Sequence, residues 1–295
     1  MFSLLGRDKN ACIFSSILTA STLPTLRNMY YKLVTEEKIS VNYSGQSLLI
    51  NTKYHPGGDT LVVFLHGLGC VKECFDAASS SVLANRFSIL TFDFVGFGNS
   101  SHPDNFGYTL GDHAAIAKLV IDYSSHKSIV VVGHSMGGAV GILLSRLMNI
   151  KYFINVEGNL VDSDAGVASR SISEQSEEQF IAKGFDNFIA NLKYTNRHDY
   201  KMWAKWSEKS SKYAYYKSAK SLVNWSDSGR LLEYFKELQR KSYIYGEKSI
   251  PLPVLSQLRD VKTYKISSSA HFMMLEQPDS FYSAVGDSVN SSHDH

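Results

Sequence analysis

A chain of 295 residues, 44% hydrophobic and 20% charged, can bury a substantial core and is not disordered as a whole. A formal net charge of +2, with no dense block of lysine or arginine, gives no reason to expect a nucleic-acid partner. Three cysteines (Cys12, Cys70 and Cys74) make no disulfide framework, so the expected setting is reducing and cytoplasmic.

Residues 1–37 read as a leader segment. Arg7 and Lys9 precede a modest apolar run from Ala11 to Leu18, which is short, interrupted by serines and followed by no convincing cleavage site. An amphipathic leader packed on the domain is favoured over a signal peptide. No apolar stretch reaches the roughly 18 residues a transmembrane helix requires.

From Lys38 the pattern is β. Ile39–Tyr43 and Ser47–Ile50 flank the turn Tyr43-Ser44-Gly45-Gln46 as a hairpin, and His55-Pro56-Gly57-Gly58-Asp59 is a second turn. Continuous apolar runs follow at Leu61–Leu65, Ser88–Phe92, Ile129–Val132, Tyr152–Val156 and Ser242–Tyr245. Strands without a polar face are covered on both sides, the mark of a parallel sheet between helices. Helical stretches at Leu110–Tyr123 and Met136–Met148 alternate with them, so the fold class is α/β, a mostly parallel central sheet with helices on both faces. Between Gly158 and Arg240 the β pattern stops, and helices are predicted over Ser173–Leu192, His198–Ala219 and Ser228–Leu238. The expected organisation is a core of residues 38–157 and 241–286, an inserted all-helical cap at 158–240 and a polar, frayed tail at 287–295.

Gly133-His134-Ser135-Met136-Gly137-Gly138 satisfies G-x-S-x-G directly after an apolar strand and directly before a helix. A serine on such a turn is held in strained geometry, and its neighbours must be small. The helix N-terminus below it favours developing negative charge.

With that motif the chain resembles the α/β-hydrolase superfamily. Three further segments match in the family's order. They are His66-Gly67-Leu68-Gly69 after the third strand, Asp93-Phe94-Val95-Gly96-Phe97-Gly98-Asn99-Ser100 after the fourth, and Ala270-His271-Phe272 after the last. The resemblance implies Ser135 as nucleophile, His271 as general base and the backbone amides of Leu68 and Met136 as oxyanion donors. Serine needs a base to take its proton during attack, and imidazole suits that duty near neutral pH. His66 resembles the family's loop-bracing histidine. His134, beside the nucleophile, either touches substrate or packs. His102, His113 and His126 read as surface or satisfied helix positions, and Asp93 as the anchor of its own turn.

The usual aspartate after the post-cap strand is missing. Its segment reads Tyr245-Gly246-Glu247-Lys248-Ser249, with Ser249 at the expected place, and a serine cannot stabilise an imidazolium as a carboxylate does. Glu157, at the end of the strand after the nucleophile helix, is the favoured replacement, with Glu247 next. A branch of the haloalkane dehalogenases takes its acid from that same strand end, and active groups gather at the carboxyl ends of parallel strands.

The implied activity is cleavage of an ester, thioester or amide through an acyl-enzyme. The rival readings are a catalytically silent member of the fold that binds a small ligand or a protein, and a C–C bond hydrolase. The expected substrate is a small molecule with an apolar acyl or aryl part, with His134, Trp203 and Trp206 as candidate pocket residues. No metal or cofactor is expected, because phosphate-loop, H-E-x-x-H and paired C-x-x-C motifs are absent. The oligomeric state is left open.

Overall fold

The hairpin opens the described part of the chain. Strands β1 (Thr35–Tyr43) and β2 (Gln46–His55) pair antiparallel, with Ser44 and Gly45 at positive φ closing the turn between them. A computed structural model describes residues 34–290, so most of the expected leader, Cys12 included, lies outside the described residues. The boundary expected at residue 38 moves, because Thr35, Glu36 and Glu37 already pair with Tyr54, Lys53 and Thr52 of β2.

Six further strands complete an eight-stranded sheet: β3 (Thr60–Leu65), β4 (Ser88–Phe92), β5 (Ser128–His134), β6 (Tyr152–Val156), β7 (Lys241–Gly246) and β8 (Lys262–Ile266). Their order is β1-β2-β4-β3-β5-β6-β7-β8. The β2–β4 pair is antiparallel, and every pair from β4 to β8 is parallel.

The continuous apolar runs have a direct cause. Leu61, Val63 and Leu65 of β3 enter one core, while Val62 and Phe64 between them enter another. Ile129 and Val131 of β5 divide from Val130 and Val132 in the same way. A strand with helices on both faces has no wet side, so alternation is lost. The first core is closed by α1 (Leu110–Asp122) and α2 (Met136–Leu144). The second is closed by the 3₁₀ segment Lys72–Ser80 and by the last two helices of the described chain, α9 (Met273–Glu276) and α10 (Pro278–Asn290). Thr109 and Asp112 form a reciprocal capping box at the start of α1.

Between β6 and β7 the chain is helical. A 3₁₀ turn (Asp162–Ala165) leads to α3 (Gly166–Ser173), α4 (Glu177–Gln179), a π turn (Phe180–Gly184) and α5 (Phe185–Tyr194). Then come α6 (His198–Ser207), α7 (Lys212–Asp227) and α8 (Arg230–Glu237). The expected stretches are broken more finely than hydrophobic spacing indicated. Ser176 caps Gln179 and Ser211 caps Ala214, each restarting a helix inside a stretch predicted as continuous.

Two ends also differ from expectation. Helix α2 stops at Leu144, where Ser145 Oγ donates back to the Ile142 carbonyl and the following residues form turns. Residues 287–290, expected in the frayed tail, continue α10: Val289 is buried, and Ser288 Oγ bonds Ser242 Oγ and the Ala284 carbonyl. Among the described residues, no helix is long and apolar enough to cross a membrane.

Candidate active site

The site begins at the junction of β5 and α2. Ser135 sits there at φ 53° and ψ −120°, a backbone state costing about 1–3 kcal/mol in an L-residue. Neighbouring bonds hold it in place. Its amide donates to the Val156 carbonyl at 3.0 Å, and its own carbonyl accepts the Gly138 amide at 2.9 Å. The turn also needs bare backbone, since a Cβ on Gly137 would come within 2.1 Å of the Leu65 carbonyl oxygen.

Glu157 leaves the end of the adjacent strand in a similar state, with φ 41°. Its amide bonds the Ile244 carbonyl at 3.0 Å, fixing the residue between β6 and β7. In the buried carboxylate, Oε2 lies 2.7 Å from His271 Nδ1, and Oε1 accepts the Gly246 amide at 2.8 Å. Burial alone would push this carboxyl up, but the His271 bond and charge, with the Gly246 amide and the Ser249 hydroxyl, outweigh it and hold the group below the usual glutamate value. A carboxylate only accepts, so Nδ1 of His271 carries the proton and Nε2 of the neutral ring carries the lone pair.

Ser135, Glu157 and His271 line one cavity of about 620 Å³. Glu247 does not line it. That side chain is exposed, accepts the Ser268 amide at 2.9 Å and pairs with Lys265 Nζ at 3.4 Å.

The loop after β3 forms another wall through Gly67, Leu68 and Cys70. His66 braces it from beneath: Nδ1–H donates to the Gly67 carbonyl at 2.8 Å, and Nε2 accepts the Phe94 amide at 3.0 Å. Asp93 ties the neighbouring turn by accepting the amides of Lys72 and Asn99. Helix α6 reaches the same loop, where Trp203 Nε1 donates to the Leu68 carbonyl at 2.8 Å and Ser207 Oγ to the Gly69 carbonyl at 3.1 Å. Met136 is the first residue of α2, directly after Ser135.

His134 is buried beside both rings of the last loop. Its Nε2 lies 2.9 Å from the His271 carbonyl, and its ring centre is 4.5 Å from that of His271. Burial, with the neighbouring His271 as a second cause, pushes His134 well below the ordinary histidine range, so the ring stays neutral. Cys70, by contrast, is an unreactive wall. Burial pushes its thiol up to about 12. Among the described residues, no group of histidine, cysteine and carboxylate side chains could hold a metal ion.

Of the two tryptophans expected at the pocket, the structure brings only Trp203 there. Trp206 is buried in the second core with Cys70 and Cys74 and does not line the cavity. The sequence reading missed Tyr200, Phe188 and Leu192, which complete the apolar wall. Tyr200 and Trp203 share a face of α6, and Phe188 and Leu192 a face of α5, so their spacing carried the signal. It also missed Ser249, which the Glu157 carboxylate meets. Of the two readings for His113, the helix position holds: it is buried on α1 with Nε2 2.9 Å from Ser218 Oγ.

This fold and turn define an α/β hydrolase. Residues 62–284 match the model described as "Alpha/beta hydrolase family", and the chain belongs to that family. A protein named as an esterase/lipase in Mycoplasma genitalium is 30% identical over 92 residues, 30% of this chain and 33% of that protein. Hydrolase YugF of Bacillus subtilis is 34% identical over 96 residues, 30% of this chain and 32% of that protein. The matches thus span about a third of each relative. In fold, the chain is similar to a thermophilic esterase from Thermogutta terrifontis (TM-score 0.69, 18% identity, 88% of this chain and 99% of that one).

Proposed function

We propose that the chain is a serine hydrolase that cleaves an ester, thioester or amide bond through an acyl-enzyme. The observation that carries this reading is the 2.7 Å bond from His271 Nδ1 to a buried carboxylate, in a cavity shared with a serine at positive φ.

Ser135 Oγ attacks the carbonyl carbon while Nε2 of His271 takes its proton. Glu157 holds the ring in the required tautomer and stabilises the imidazolium, as an aspartate does in the usual arrangement. The amides of Leu68 and Met136 receive the oxyanion, each contributing about 3 kcal/mol at the transition state. The imidazolium then protonates the leaving group, and the acyl-enzyme is hydrolysed by water with His271 again as base.

Residues 35–157 and 241–290 act as the hydrolase core, and 158–240 as its cap. In support, Trp203, Tyr200, Phe188 and Leu192 of that helical segment line the cavity with Ser135. Their side chains favour a small-molecule substrate with an apolar acyl or aryl part.

A fluorophosphonate probe and a series of p-nitrophenyl esters of rising chain length test the reading. Wild-type protein labels and turns over ester, and Ser135→Ala abolishes both. Folded wild-type protein that neither labels nor turns over any ester overturns the proposal in favour of a ligand-binding module.

A further inference from the structure

The charge of the cavity wall says more about the substrate than its shape does. Two carboxylates, Glu157 and Asp164, line it, and among the described lining residues none is lysine or arginine. The arginines on the helices that wall the cavity are already committed. Arg170 of α3 bonds both oxygens of Asp227, and Arg197, just before α6, bonds both oxygens of Asp199.

Asp164 is not part of the Ser135–His271–Glu157 arrangement. It is half-buried on the 3₁₀ turn, where Oδ2 accepts the amides of Leu160 and Val161 at 3.0 and 3.1 Å, and Asn159 Nδ2 donates to its carbonyl at 2.6 Å. The turn therefore fixes the side chain in place; burial raises its carboxyl above the usual aspartate value, and the two amides oppose that rise. The apolar side chains of Phe188, Leu192, Tyr200 and Trp203 line the same cavity.

We infer that the cavity is built for esters that are neutral or cationic away from the reacting bond, with Asp164 the residue that discriminates against substrates bearing a second anionic group. The inference rests on the hydrolase reading of the same cavity. An anionic substituent loses its hydration on entry and meets the Asp164 carboxylate, with no lysine or arginine among the described lining residues to offset it. A quaternary ammonium meets a carboxylate and aromatic faces, both attractive to cations. The acid released by hydrolysis is itself an anion in this wall, which favours its departure.

The test compares p-nitrophenyl esters matched in length: hexanoate, the mono-ester of adipic acid, and an acyl chain ending in trimethylammonium. Wild-type kcat/KM for the neutral and cationic esters exceeds that for the adipate ester by about tenfold or more, a ratio typical of one unfavourable charge contact. In Asp164→Asn, which keeps an oxygen for the two amides, that ratio narrows several-fold. Ser171→Lys, at an exposed lining position, narrows it from the opposite direction and does not depend on Asp164→Asn folding. Equal or faster turnover of the adipate ester by wild type overturns the inference while leaving the hydrolase reading intact. If no ester turns over, the hydrolase reading fails, and thermal shift with hexyltrimethylammonium against hexyl sulfate then decides the inference. Stabilisation by the cation supports it, and equal or greater stabilisation by the sulfate ends it.

Discussion

Replacing Glu157 with glutamine gives a quantitative test of the acid. His271 Nδ1–H at 2.7 Å and the Gly246 amide at 2.8 Å converge on this side chain, with the Ser249 hydroxyl beside them. A carboxylate accepts from both, whereas glutamine offers one oxygen and presents an NH₂ group to the other partner. If the oxygen faces Gly246, the NH₂ group meets Nδ1 and the ring must turn to the tautomer with its proton on Nε2, which cannot take a proton from Ser135. If it faces His271, the Gly246 amide loses its acceptor, at a cost of about 1–3 kcal/mol in stability. Either way the imidazolium loses its counter-charge, and kcat should fall about 10³- to 10⁴-fold, equivalent to roughly 4–5.5 kcal/mol of barrier. The assay is p-nitrophenyl ester turnover with the rate of fluorophosphonate labelling, beside urea unfolding of each variant. Glu247→Gln is the control, expected within about threefold of wild type because that side chain is exposed and engaged with Ser268 and Lys265. A Glu157→Gln enzyme within tenfold of wild type, with Glu247→Gln inactive, would refute the reasoning.

Stability should fall as pH drops from the ordinary histidine value of 6.5 towards about 3, because burial, opposed only in part by Asp112, lowers the His113 ring to about 3. The unfolded chain takes up a proton in that window and the folded chain does not, so folding loses up to roughly 5 kcal/mol across it. Urea midpoints at several pH values read this out, and His113→Gln should flatten the slope; an unchanged slope would show that the ring is not the source. Trp203→Phe removes the donor to the Leu68 carbonyl while retaining an apolar wall. The expected result is a several-fold loss in kcat with about 1 kcal/mol of stability, and unchanged kcat would separate this bond from catalysis.

Much of the architecture was readable because burial on both faces leaves a strong trace. Leu61–Leu65 and Ile129–Val132 have no polar position because their alternate side chains enter different cores. The turn around Ser135 was readable for a steric reason: its glycines stand where a Cβ would strike backbone, as at Gly137. Chain order also singled out Glu157 and His271, although only the folded sheet brings residues 114 positions apart within hydrogen-bonding distance. What escaped the sequence was decided by single hydroxyls or by the direction of one side chain. Ser176 and Ser211 end one helix and begin another without changing the apolar count. Trp206 follows Trp203 by the same three-residue step that keeps Tyr200 beside it, yet its ring is buried in the core and not in the cavity wall. The charged and polar ending at 287–290 concealed one more turn of α10, held by Val289 and Ser288.

Ser135 and Glu157 follow two neighbouring strands, and each is tied by its own amide to the strand beyond: Ser135 to Val156, Glu157 to Ile244. Their separation is therefore set by ladder spacing and not by any connecting loop. On the proposed reading the segment after β7 supplies no acid, and apart from Ser249, which meets the Glu157 carboxylate, it can lengthen or change sequence without moving Ser135 relative to Glu157. Pro251 and Leu252 of that segment border the cavity. Selectivity can drift there while the proton-transfer geometry stays put, so chemistry and recognition are free to evolve on separate schedules.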